Sequence, residues 1–128
     1  MILDTNALSD WAKADGGLIA VLPPARDILL PVIALGEYLA GVIRIRERRR
    51  REQASAWLIQ ILSQVRVAPV TLATAQHYGA IVAATKARGN TIPANDAWIA
   101  AIAREYELPV ISRDAHFDAV DGLHRVTW

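Results

Sequence analysis

Asp4 closes a short apolar opening, Met1-Ile2-Leu3, and is followed at once by Thr5-Asn6. Asp96 and Asp114 stand at two further points where strand and helix patterns meet, and Glu37 is the one charge between Val32 and Ile43. A short strand that runs straight into a carboxylate delivers that acid to the carboxyl edge of an open α/β sheet, where ligand sites form. Taken singly, most of these acids have a structural explanation. Asp4 suits a helix cap. Asp96 follows the candidate cap Asn95, where a helix dipole favours negative charge by about 0.3–1 kcal/mol. Asp114 and Asp118 suit turns after a strand, and for Asp118 the turn is the preferred account. Glu37 resists this treatment. Its neighbours are Leu35, Gly36, Tyr38, Leu39 and Ala40, and no basic residue lies three or four positions away. Burying an unpaired carboxylate costs several kcal/mol, so its partner is either distant in sequence or an ion.

Together the acids Asp4, Glu37, Asp96 and Asp114 read as one cluster for a divalent metal. Like charges brought that close raise one another's pKa, and a divalent ion reverses this. The donors are oxygens, with no cysteine and no histidine pair at ligand spacing, which points to Mg²⁺ or Mn²⁺ rather than Zn²⁺. Hydrolysis of a phosphodiester is the chemistry such an ion serves.

The elements that must position these acids follow from pattern. Residues 1–3 form a strand; Thr5 or Asn6 caps a helix reaching Trp11-Ala12, which Gly16-Gly17 interrupts before a short helix over 18–22. A strand over 28–30 precedes Pro31 at a helix start, and the stretch 32–43 is apolar on nearly every side, hence substantially buried. An amphipathic helix follows over 47–65, then an edge strand around Pro69 over 67–70, then a helix over 71–88 stopped by Gly89. Asn95-Asp96 opens another helix with Ile99, Ile102, Ala103 and Tyr106 as its inner stripe; strands at 110–112 and at Val126 complete the chain. Strands alternating with helices imply an α/β fold, a mostly parallel central sheet with helices on both faces. The 128 residues suffice for one domain, 1–128, with a single core. Absent cysteine, the lack of a signal-type opening, and no apolar run near the roughly 20 residues that span a bilayer lead us to expect a cytoplasmic protein with no membrane segment.

Four segments in register resemble a known family: Met-Ile-Leu-Asp-Thr-Asn, Ala-Leu-Gly-Glu-Tyr-Leu-Ala-Gly-Val, Ile-Pro-Ala-Asn-Asp-Ala-Trp-Ile-Ala-Ala and Val-Ile-Ser-Arg-Asp-Ala-His-Phe. They look like the PIN-domain ribonucleases and, more narrowly, the VapC toxins of prokaryotic toxin–antitoxin modules. The resemblance covers essentially the whole chain and implies a three-layer PIN-like domain. It implies that Asp4, Glu37, Asp96 and Asp114 hold the metal and carry catalysis. Thr5, Asn6, Asn95 and Ser112 would orient carboxylates or water, and Asp118 would take an occasional outer part. The activity implied is Mg²⁺-dependent endoribonuclease cleavage, with Mn²⁺ as a substitute, by in-line attack of activated water on RNA. The partners implied are a neutralising antitoxin and a second copy of the chain in a homodimer.

Net charge is only +1, yet Arg44 to Arg51 holds six of the 14 basic residues. Arg44, Arg46, Arg48 and Arg49 are candidates for a phosphate-binding rim, since arginines position a nucleic-acid backbone without reading its sequence; the competing account is a solvated helix face with Glu47 and Glu52 as partners. Trp57 and Trp98 fall on helical stripes and are expected in the core, whereas Trp11 is the better candidate for a surface role. His116 is expected to be structural. Two rival readings fit the residues less well. A doubly wound phosphoryl-transfer domain would need a lysine after a strand, but Lys13 and Lys86 do not follow one, and a phosphatase would need Asp where Asn6 stands. A non-catalytic RNA- or protein-binding module gains nothing from clustered carboxylates.

Overall fold

The computed structural model describes residues 1–128. Its five strands are β1 (Ile2–Leu3), β2 (Leu29–Pro31), β3 (Arg66–Ala68), β4 (Val110–Ile111) and β5 (Arg125–Val126). Six α-helices connect them: α1 (Thr5–Ala12), α2 (Gly16–Val21), α3 (Val32–Arg44), α4 (Arg48–Leu62), α5 (Leu72–Ala87) and α6 (Ala94–Glu105). Two 3₁₀ turns, Ala25–Asp27 and Ala115–Ala119, supplement them.

Every strand pairing is parallel, in the order β3-β2-β1-β4-β5. The chain therefore builds one side of the sheet from β1 outward through β2 and β3, then crosses back over β1 to start the other side at β4. That reversal makes the gap between β1 and β4 the topological switch point, where crevices open beyond the carboxyl ends of strands. Successive strand residues point to opposite faces, yet Ile2, Leu3, Leu29, Leu30, Val110 and Ile111 are all at most 3% exposed. Both faces of the sheet are thus covered by helices, as expected.

The strand and helix order matches the sequence reading, with local differences. β3 is an edge strand as expected, lying against β2 alone just before Pro69. Gly16-Gly17 does not break a helix but begins one, because Asp15 caps α2 by accepting the Leu18 N–H at 2.9 Å. α3 is less buried than its composition suggests: Val32, Leu39 and Ile43 are 39%, 40% and 74% exposed, leaving Ala34, Tyr38 and Val42 as its inner face. Tyr106 lies outside the inner stripe of α6, exposed at the helix end. α6 itself buries Ala97, Ile99, Ala100, Ala101, Ile102 and Ala103, and it contacts α3, α5 and β1. So many alanines let α6 approach its neighbours closely, which fixes its first turn at the sheet edge. α5 stops where Gly89, at φ +75°, adopts a left-handed conformation that other residues enter at a cost. No helix is long and apolar enough to cross a membrane.

Candidate metal centre at the sheet edge

β1 ends at Leu3, so Asp4 is the first residue beyond the carboxyl end of the central strand. It is 3% exposed and also caps α1, its Oδ1 accepting the Ala7 N–H at 2.6 Å. Of the two cap readings it is Asp4, and not Thr5 or Asn6, that caps the helix, because the helix begins immediately at Thr5. Across the switch point β4 ends at Ile111, and the buried Ser112 hydroxyl donates to Asp4 Oδ2 at 2.5 Å while accepting the Asp114 N–H at 2.9 Å. One hydroxyl therefore ties the acid after β1 to the loop carrying the acid after β4.

The first turn of α6 brings in Asp96. Asn95 is not its cap; Pro93 occupies that position without a side-chain bond, and Asn95 instead donates its amide to Glu37 Oε1 at 2.5 Å. Thr5 donates to the other oxygen, Glu37 Oε2, also at 2.5 Å. Here are the distant partners that Glu37 lacks locally: two neutral donors, one from α1 and one from α6, which hold both carboxylate oxygens in place. Asn6 is exposed and takes no part in these bonds. Asp118 is likewise outside the cluster. It pairs through both oxygens with Arg125 at 2.8 and 2.7 Å, which holds Asp118 below and Arg125 above their ordinary pKa ranges.

The electrostatics agree with the geometry. Burial pushes Asp4 up to about 6, against the lowering effect of the Ser112 and Ala7 hydrogen bonds, and the charges of Asp96 and Asp114 add to the rise. Asp96 is also raised, first by burial and then by Asp114 and Glu37, with His116 opposing. No lysine or arginine forms an ion pair with Asp4, Glu37, Asp96 or Asp114. His116, expected to be structural, belongs to this site: its Nδ1 lies 2.8 Å from Asp114 Oδ1 and 3.2 Å from Asp96 Oδ2. The sequence carried one signal for it, the two-residue spacing from Asp114.

Beside the cluster a groove of about 570 Å³ runs from Thr5 and Glu37 past Tyr38 to Trp57, with Lys13 and Arg50 along it. Arg44, Arg46, Arg48 and Arg49 are exposed around the α3–α4 junction; Arg48 bonds Glu52 at 2.7 Å, and Arg50 approaches Glu47 at 3.9 Å. Lys13 reaches the groove itself, as does Arg50 from the Arg44–Arg51 run. Trp11 is not a surface residue but is half-buried, edge-on to Trp57 at 5.9 Å between ring centres. Trp98 is half-buried and stacked on Tyr78 at 3.9 Å.

Residues 1–123 match the family model for the PIN domain. The chain belongs to the PIN-domain family. Ribonuclease VapC5 of Mycobacterium tuberculosis (strain ATCC 25618 / H37Rv) is 32% identical to this PIN domain over 128 residues, covering 98% of this chain and 90% of that protein. The crystal structure of FitAcB from Neisseria gonorrhoeae is similar with a TM-score of 0.89 at 29% identity, over 97% of this chain and 94% of that one. VapBC-5 from Mycobacterium tuberculosis, a member of the VapBC family of toxin–antitoxin systems, is similar with a TM-score of 0.78 at 27% identity, over 98% and 94% of the two chains. PIN nucleases generally use divalent metal, and Asp96, Asp114 and His116, whose ligand atoms lie within 4.8 Å of one another, are a candidate place for it in this PIN domain, with Asp4 and Glu37 beside them.

Proposed function

We propose that this PIN domain, a single domain spanning 1–128, is a Mg²⁺-dependent endoribonuclease toxin of the VapC type, cytoplasmic and neutralised by a cognate antitoxin. The observation that carries this reading is the meeting of Asp4, Glu37, Asp96 and Asp114 at the sheet's switch point without a lysine or arginine to balance them. The relatives named as a ribonuclease and as toxin–antitoxin systems give it the substrate and the partner.

The donor set fits a hard divalent cation: carboxylate oxygens dominate, and there is no thiol. Asp4, Glu37, Asp96 and Asp114 would hold it. A bound ion supplies Lewis-acid polarisation of a phosphoryl oxygen and lowers the pKa of a nearby water. The chain's own residues supply position. Ser112 and the Ala7 N–H each occupy one oxygen of Asp4, so its remaining lone pairs have a fixed direction. Thr5 and Asn95 do the same for Glu37. Arg44, Arg46, Arg48 and Arg49 form an exposed basic rim for the RNA backbone, while the groove from Glu37 to Trp57, lined by both apolar and polar residues and basic at Lys13 and Arg50, suits a segment of the antitoxin. A homodimer is proposed on the same family ground.

Incubating a mixed tRNA and rRNA substrate with the protein and Mg²⁺ or Mn²⁺ tests the reading, with Asp4→Ala and Asp96→Asn as controls and circular dichroism as the check of folding. Cuts that need metal and vanish in both folded variants support it. Cuts that survive both substitutions contradict it.

A further inference from the structure

We propose that His116 is itself a metal ligand: its Nδ1 joins Asp96 and Asp114 on the divalent ion and tilts the site from Mg²⁺ toward Mn²⁺. This rests on the metal reading above and adds to it a nitrogen donor and a metal preference.

His116 is held at two points. Its backbone N–H donates to Asp114 Oδ1 at 2.9 Å, and its ring nitrogen stands 2.8 Å from the same oxygen and 3.2 Å from Asp96 Oδ2. An imidazole nitrogen carries at most one proton, so the two oxygens either share it or one of them faces the nitrogen without a proton between them. A cation between the three atoms satisfies all of them. The ligand atoms of Asp96, Asp114 and His116 lie within 4.8 Å of one another. Adjacent corners of an octahedron with bonds of about 2.0–2.1 Å are about 2.9 Å apart, and both ring contacts come close to that edge. The ring nitrogen thus already stands at the spacing from each carboxylate oxygen that a neighbouring ligand on a shared ion would have.

The chemical consequence is selectivity. Carboxylates and water suit Mg²⁺ and Mn²⁺ alike, whereas imidazole favours the transition ions. One nitrogen among oxygen donors should discriminate between Mn²⁺ and Mg²⁺ more than a further carboxylate in its place would. The other histidines provide a control, since His77 and His124 line a separate cavity of about 470 Å³ with Asp121.

The test is Mn²⁺ binding to the full chain, followed by calorimetry and by pulsed electron paramagnetic resonance, which detects a directly bound nitrogen. Wild type should show one imidazole nitrogen coupled to the bound Mn²⁺. The coupling should disappear in His116→Gln and persist in His124→Gln. Mn²⁺ affinity should fall roughly tenfold or more in His116→Gln, on the scale of losses seen when metal sites are disturbed, with Mg²⁺ affinity changing less than about threefold. Tight Mn²⁺ binding that depends on Asp4 but shows no nitrogen coupling would overturn the proposal and leave the carboxylate site standing. A gain in Mn²⁺ affinity in His116→Gln would also overturn it, marking the ring as a competitor. If wild type binds no Mn²⁺ at all, both this proposal and the metal reading fail.

Discussion

A carboxylate that is 3% exposed and feels two further acids is poorly stabilised as an anion unless positive charge approaches it. Asp4 meets that description, and its rise from 3.8 to about 6 corresponds to about 3 kcal/mol of linkage. The folded protein holds this proton more tightly than the unfolded chain. It therefore binds more protons between pH about 4 and 6, and the stability of the metal-free protein falls as pH rises through that window. Asp96 shifts in the same direction and adds to the slope. Asp4→Asn keeps an acceptor for the Ala7 N–H and removes the charge. We expect thermal melts at pH 7.5 without metal to be several degrees higher for this variant, with a shallower fall from pH 4 to 6; an unchanged slope would contradict the assignment. The donors around the acids should matter less than the acids themselves. Thr5→Val or Ser112→Ala should lower metal affinity about 10–100-fold, measured by calorimetry with Mn²⁺. At this scale the sequence was partly legible. Asp4 and Asp114 declare themselves by following apolar runs, and Glu37 by standing alone in one. Nothing local reveals that Asn95 bonds Glu37, 58 positions away, or that a 3₁₀ turn after Asp114 carries the His116 ring back toward Asp96.

Elements explain why the acids stay where they are. α6 is buried along most of its length, and its small buried alanines set how closely it packs on α5, α3 and β1. Ala101 is fully buried, so Ala101→Leu should overpack the helix at a cost of about 1–3 kcal/mol, read as a lower melting temperature. Metal affinity should drop as well, because the first turn of α6 must shift; a destabilised variant with unchanged Mn²⁺ binding would show that helix and site are uncoupled. The order of elements could be read from hydrophobic period and from Pro31, Pro69 and Gly89, each of which marks a boundary by backbone chemistry alone. What could not be read was which side of a helix its neighbours leave open. α3 looked buried all round because its composition is apolar, yet exposure at Leu39 and Ile43 depends on where α1, α4 and α6 lie. Trp11 is half-buried for the same kind of reason: its partner Trp57 belongs to a helix far along the chain.

For the whole molecule, a net charge of +1 conceals a division between an acidic sheet edge and an arginine-rich α3–α4 junction. If the junction neutralises RNA phosphates, Arg44→Ala, Arg46→Ala and Arg49→Ala together should weaken binding at low salt. They should also reduce the slope of log affinity against log salt by about 2, since each single-strand phosphate contact contributes about 0.7. These binding measurements are best made with Asp96→Asn to prevent cleavage. An unchanged slope would assign the arginines to a protein partner instead. Beneath these questions lies the position of the ion, which Mn²⁺-soaked crystals would locate by anomalous scattering. The expected result is a peak bounded by Asp4, Glu37, Asp96 and Asp114 at the β1–β4 switch point, lost in crystals of Asp96→Asn. A peak elsewhere, or none at millimolar Mn²⁺, would contradict a metal-dependent nuclease built on these four acids.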